Sequence, residues 1–185
     1  MRSGGSPDKG GDFERKVNKQ LSLWISRGER ADIFRRNTGS GGAFTNALKR
    51  GVTSGIPGDT LGSFELAFDY PLATKFLKLF MPEHKHWRDL KLEQALWKSG
   101  GEFDKILRKA EQQATDARRE PWIIARQNYK PTLLFVPYSV GIYGFGRLLP
   151  GLVYHGLWNN RIFACLFDEA LKADPERFIH ITENR

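Results

Sequence analysis

The stretch Phe80-Met81-Pro82-Glu83-His84-Lys85-His86-Trp87 sets a carboxylate and an ammonium two residues apart. In an extended strand alternate side chains share a face, so Glu83 and Lys85 point one way and His84 and His86 the other. A carboxylate can hold a divalent metal ion, and a lysine beside it can position or deprotonate a water on that metal. The same pair also occurs as a solvated surface salt bridge, so its meaning depends on what the rest of the chain brings to it. Pro82 has no amide proton for a ladder, which requires its strand to be bulged, at an edge, or ending there. His84 and His86 lack any Cys or acidic spacing around them and read as packing or nucleic-acid-facing residues rather than zinc ligands.

A chain of 185 residues is most simply one domain with a core of its own. Residues 1–11 hold almost nothing apolar and read as a flexible tail, which leaves 12–185 as the domain. The single cysteine, Cys165, lies in the apolar run Ile162–Phe167 and reads as a core residue in a reducing compartment. No run of about 18 apolar residues and no apolar signal core occur, so a soluble, cytoplasmic protein with no membrane partner is expected. The net charge is +8, with Lys and Arg scattered along the chain. A phosphate-rich partner such as nucleic acid explains that balance, because surface cations release its counterions; solubility is the plainer alternative.

The positioning elements follow from periodicity. Asp12 can cap a helix on which Phe13, Val17, Leu21 and Trp24 recur at helical spacing, ending near Gly28. Glu14 lies at the edge of its buried face, where either a neighbouring Arg15 or Lys16 or a metal site would serve as partner. Residues 31–37 read as a strand entering the loop Thr38-Gly39-Ser40-Gly41-Gly42. Arg35, Arg36, Asn37, Ser40 and the amide of Gly41 could together grip a phosphodiester backbone, or merely form a connection. A long polar loop then delivers Pro57-Gly58-Asp59 to the next strand. Alternation over Thr60–Tyr70 and an apolar run over Phe76–Phe80 predict two antiparallel strands joined near 70–74. Glu102–Arg118 is a second helix, with Gln113 beside its apolar face. Pro121–Arg126 and Pro131–Val136 form a hairpin around Gln127-Asn128-Tyr129-Lys130, and Arg126, Asn128 and Lys130 are further candidate backbone contacts. Residues 139–160 show no clear period. A strand at Ile162–Phe167 and a short helix stopped at Pro175 close the chain. This order implies an α/β fold: a mixed sheet with helices packed on it.

Taken in order, Gly10-Gly11-Asp12-Phe13-Glu14-Arg15, Phe34-Arg35-Arg36-Asn37-Thr38-Gly39-Ser40-Gly41-Gly42, Gly58-Asp59 and Glu83-His84-Lys85 resemble the PD-(D/E)XK nuclease superfamily. The nearest likeness is to archaeal Holliday junction resolvases and related phage enzymes, and it runs from residue 10 to about residue 136. The resemblance implies a restriction-endonuclease-like sheet and a metal-dependent DNA endonuclease of the junction-resolving or phage recombination type; the alternatives are a restriction-like or repair nuclease on linear duplex and a basic DNA-binding protein without catalysis. Asp59, Glu83 and the backbone carbonyl of His84 would hold magnesium, with manganese able to substitute. Glu14 would complete or orient that site, and Lys85 would hold the attacking water. It also implies branched DNA as a possible substrate and a homodimer, because a junction needs two cuts. A competing register would use Glu65, closer to Asp59, with Ala67 in the place of the lysine and Lys75 or Lys78 as its substitute.

Overall fold

The computed structural model describes residues 7–37, 58–62, 69–88, 101–157 and 161–185. The chain opens with helix α1 (Pro7–Ile25), starting five residues before Asp12. Proline is well suited to a first helical turn, where its missing N–H loses no bond. Asp12 therefore lies inside the helix, where it pairs with Arg15. Phe13, Val17, Leu21 and Trp24 are buried as their spacing predicts. The helix ends at Gly28, whose φ of 95° and amide bond to the Leu23 carbonyl (2.7 Å) form a left-handed cap.

Strands β1 (Phe34–Arg36) and β2 (Thr60–Gly62) pair antiparallel as a two-stranded ribbon. Ser22 ties this ribbon to α1: its hydroxyl donates to the Asn18 carbonyl (2.7 Å) and accepts from the Phe34 amide (2.9 Å). Helix α2 (Pro71–Leu79) then runs directly into strand β3 (Phe80–Trp87). Here the expected strand over Phe76–Phe80 is corrected. Pro71 opens a helix instead of marking a hairpin turn, and Ala73 and Phe76, three residues apart, are the positions it buries.

Helix α3 (Glu102–Asp116), the hairpin β4 (Glu120–Gln127) and β5 (Thr132–Pro137), and the later strands β6 (Tyr154–Leu157) and β7 (Ile162–Leu166) complete a five-stranded sheet. Its order is β3-β4-β5-β7-β6, with β3 parallel to β4 and every other pair antiparallel. Between β5 and β6, where the sequence shows no period, a turn of helix α4 (Tyr138–Val140) widens into a π-helical turn at Gly141–Gly146. Pro175 opens a helix where the sequence suggests a stop. After the short α5 (Phe167–Ala170), helix α6 (Pro175–Glu183) starts at Asp174, whose carboxylate accepts from the Arg177 amide (2.9 Å).

The two faces of the sheet are covered separately. Trp122, Ile124, Leu134, Val136, Phe163 and Cys165 face α1, α2 and α6, whereas Ile123, Ala125, Phe135, Ile162 and Ala164 face α3. Alternate residues of β4, β5 and β7 thus enter two cores, as a sheet between helix layers requires. Cys165 is buried as expected, and burial pushes its thiol up to about 12. Among the described residues no helix is long and apolar enough to cross a membrane.

Candidate active site

Strand β3 is the edge of the sheet, which accommodates Pro82 without loss of a ladder bond. Its register sets Glu83 beside Ile123 and Lys85 beside Ala125, on the α3 face, and His84 beside Ile124, on the α1 face. The alternation read from the sequence is therefore realised. The outer side of β3 receives the turn before β2: the Asp59 amide donates to the Pro82 carbonyl (2.8 Å), and the His84 amide donates to Asp59 Oδ2 (2.7 Å). Gly58 permits this approach. Its φ is 94°, and a Cβ there would stand 2.9 Å from the Pro82 oxygen. Asn37 holds the turn from the other side: its amide donates to the Asp59 carbonyl (2.9 Å) and its side chain to the Gly58 carbonyl (2.9 Å).

This clamp brings Asp59 to Glu83 and Lys85 across a gap that the inserted α2 explains. Lys85 Nζ hydrogen-bonds to Glu83 Oε1 and stands 3.9 Å from Asp59 Oδ2. The side chains of Asp59, Glu83 and Lys85 are 11%, 15% and 24% exposed, so solvent screens their charges far less than at an open surface. Burial and the nearby Asp59 carboxylate raise the Glu83 pKa above its ordinary value, against the pull of Lys85. Burial alone would lower the Lys85 ammonium, but the Glu83 and Asp59 carboxylates outweigh it and raise its pKa. Glu14 reaches the same region from α1 and is ion-paired with Arg36. Its pKa is also raised, by burial first and by Asp59 second.

A layer beneath carries these groups. The Thr60 hydroxyl donates to Asn18 Oδ1 (2.6 Å) and lies 3.3 Å from His84 Nε2. Since the hydroxyl proton is committed to Asn18, the His84 ring donates to Thr60 through Nε2–H. Burial lowers the His84 pKa to about 4, and its Nδ1 is buried without a hydrogen-bond partner. Its ring is a packing group, edge-on to Phe13. Sequence reasoning passed over Asn18 and Thr60, because a single buried Asn or Thr carries no periodic signal.

Glu14, Glu83 and Lys85 line a cleft of about 480 Å³ whose far wall is the α3 flank carrying Lys105, Lys109 and Gln113. Gln113 thus lines the same cleft, and the two lysines were missed although Lys105, Lys109 and Gln113 recur at intervals of four. Among the described residues, no group of three or more His, Cys, Asp or Glu side chains is disposed to hold a metal ion. Arg36 engages the Glu14 carboxylate beside the Asp59–Glu83 pair. Carboxylates and main-chain carbonyls are hard oxygen donors, the type that divalent cations take.

The expected DNA contacts divide. Arg35 is exposed, whereas Asn37 is buried and occupied in the Gly58 turn. Ser40, Gly41 and the competing Glu65 lie outside the described residues, and Lys75 stands 3.9 Å from Glu183 on α6. Asn128 lies 3.0 Å from the His86 ring, Lys130 is exposed in the β4–β5 turn, and Arg126 is half-buried with its Nε unpartnered.

Comparison with protein families matches residues 5–146 to the family described as "Phage putative PDDEXK endonuclease". No curated protein and no solved structure matches the chain. The match runs from the start of α1 through the π-helical turn and includes Glu14, Asp59, Glu83 and Lys85, on a mixed sheet flanked by helices. The chain therefore belongs to the phage PDDEXK endonuclease family, and it is a nuclease of the restriction-endonuclease-like fold.

Proposed function

We propose that the protein is a magnesium-dependent DNA endonuclease of the junction-resolving or phage recombination type, acting as a homodimer. The observation that carries this reading is the meeting of Asp59, Glu83 and Lys85, drawn together by main-chain bonds at Pro82 and His84 from segments separated by α2. In this reading Asp59, Glu83 and the His84 carbonyl hold the ion, and Glu14 orients the site once Arg36 turns to a phosphate. When bound, the ion supplies a positive centre for the charge that grows on the phosphate oxygens. Lys85, kept protonated by its two carboxylates, acts as a donor and not as a base: its ammonium holds the attacking water and offsets negative charge in the transition state. Arg35 and Arg36 lie on β1 and contact the DNA backbone. A chain with net charge +8 supports a nucleic-acid substrate in general, and two symmetric cuts at a four-way junction supply the reason for a dimer.

Nicking of a supercoiled plasmid with and without magnesium tests the site. Glu83→Gln and Lys85→Ala are expected to lose cleavage and keep DNA binding, while Glu65→Gln stays active. An active Glu83→Gln beside a dead Glu65→Gln would move the site to the earlier segment. Cutting of a four-way junction in preference to plain duplex supports the resolving activity, and the reverse preference points to an enzyme of linear DNA.

A further inference from the structure

The cleft pairs an acidic floor with one wall whose cations are not spent on it. On α3 the residues Phe103, Leu107, Ala110 and Ala114 pack down onto the sheet, and Glu102, Ile106, Lys109 and Gln113 form the adjoining stripe at the helical repeat. That stripe, with Lys105 beside it, faces Glu14 and Glu83 across the cleft. The cations on the other side are engaged: Lys85 with Glu83 and Asp59, Arg36 with Glu14. Among the described residues no hydrogen bond or ion pair engages the exposed Lys109 ammonium, although its field reaches Glu83. Among the described residues Lys105 meets Glu102, at 3.4 Å, in an exposed pair of the kind that contributes little. A polyanion approaching two or three carboxylates is repelled unless positive charge on a wall offsets them.

We propose that Lys109 and Lys105 on α3 form a second contact with the DNA backbone, gripping phosphates on the side of the cleft opposite Arg35 and Arg36. The inference rests on the nuclease site proposed above and adds its far wall. The two lysines hold the strand being cut against the Glu83–Lys85 pair; they read phosphate and not base sequence, since an ammonium on a flexible stem carries no directional code. Their position on a packed helix, not on a loop, fixes the width of backbone that fits.

Duplex DNA binding in EDTA, where cleavage is absent, tests this by the slope of log affinity against log salt. Lys109→Gln is expected to reduce the slope by about 0.9, and Lys105→Gln/Lys109→Gln by about 1.8, with unchanged thermal melting. Cleavage by the same variants should show a raised KM and nearly constant kcat. Lys172→Gln, which removes a charge outside the cleft, should leave the slope unaltered. An unchanged slope for Lys109→Gln overturns the proposal, and so does an equal reduction by Lys172→Gln, which would reveal bulk charge alone. A lowered kcat at constant slope also overturns it, by making Lys109 a support for Glu83 instead of a phosphate contact. Glu83→Gln measured beside them separates the two readings: if it is dead while the slope is unchanged, only the α3 wall fails, and if it cleaves, the site itself has been misplaced.

Discussion

At Lys85 one ammonium serves two carboxylates, and the surplus negative charge is felt by Glu14 and Glu83. Asp59 is the second cause, after burial, of the raised pKa of both Glu14 and Glu83. Asp59→Asn should therefore shift both toward the ordinary carboxylate range, as carboxyl NMR titration of the protein without divalent ions would record; two unmoved titrations would show that Asp59 does not act on them. Because these acids are raised, their ionisation opposes folding, and their contribution to stability falls as pH rises from 4.5 through their folded values. His84 runs the other way. Its pKa drops from 6.5 to about 4, so the folded state resists protonation and stability is lost as pH falls through that window. Linkage puts the loss at about 3 kcal/mol at most, and denaturant midpoints of His84→Gln between pH 7 and 4 should vary less than those of the wild type. The shared face of Glu83 and Lys85 was legible from alternation alone. The engagement of Glu14 by Arg36 and the burial of Asn37 were not, since each depends on a contact more than 20 residues away in the chain.

Among the elements, the turn before β2 does most to assemble the site, and glycine makes it possible. Gly58→Ala would combine left-handed strain with a collision at the Pro82 carbonyl, and a loss of about 1–3 kcal/mol is expected, together with weakened cleavage as Asp59 is pushed from β3. Gly28→Ala is the control: φ is likewise positive at 95°, but nothing lies within 4 Å of the added Cβ. It should lose about 1–2 kcal/mol from strain alone and leave cleavage per folded molecule unaltered. Equal loss of activity in both would assign the effect to stability. Helices α1 and α3 were readable because each repeats one period over two turns or more, and the β4–β5 hairpin because two short apolar runs flank a polar turn. Helix α2 was not, for Phe76, Leu77, Leu79 and Phe80 satisfy a strand nearly as well as a helix. The π-helical turn was hidden for a different reason: a wider helix follows neither period, and Gly141 and Gly144 are present because Phe163 and Phe178 press against their α-carbons.

Across the whole molecule the aromatic core gathers around Trp122, and its last member arrives late in the chain. The Phe178 ring on α6 lies 5.5 Å from Trp122, 5.7 Å from Phe80, 5.9 Å from Trp24 and 4.4 Å from Phe145. Phe178→Ala should cost about 3–5 kcal/mol in urea unfolding, and a cost under 1 kcal/mol would mean that the neighbours close over the gap. Composition pointed to a phosphate-rich partner, in keeping with a nuclease family, but nothing in the pattern announced that α6 would complete the core, since Pro175 reads equally as a stop or as a first helical turn. The family match ends at residue 146, whereas β6, β7 and α6 all follow it. What marks the lineage is thus smaller than what folds. A fragment ending at residue 146 would retain every group of the candidate site yet lose two of five strands, and it should persist only as a dye-binding, loosely packed globule. The C-terminal segment would then be the keel of the enzyme, carrying no group of the site yet weighting the core on which the site stands.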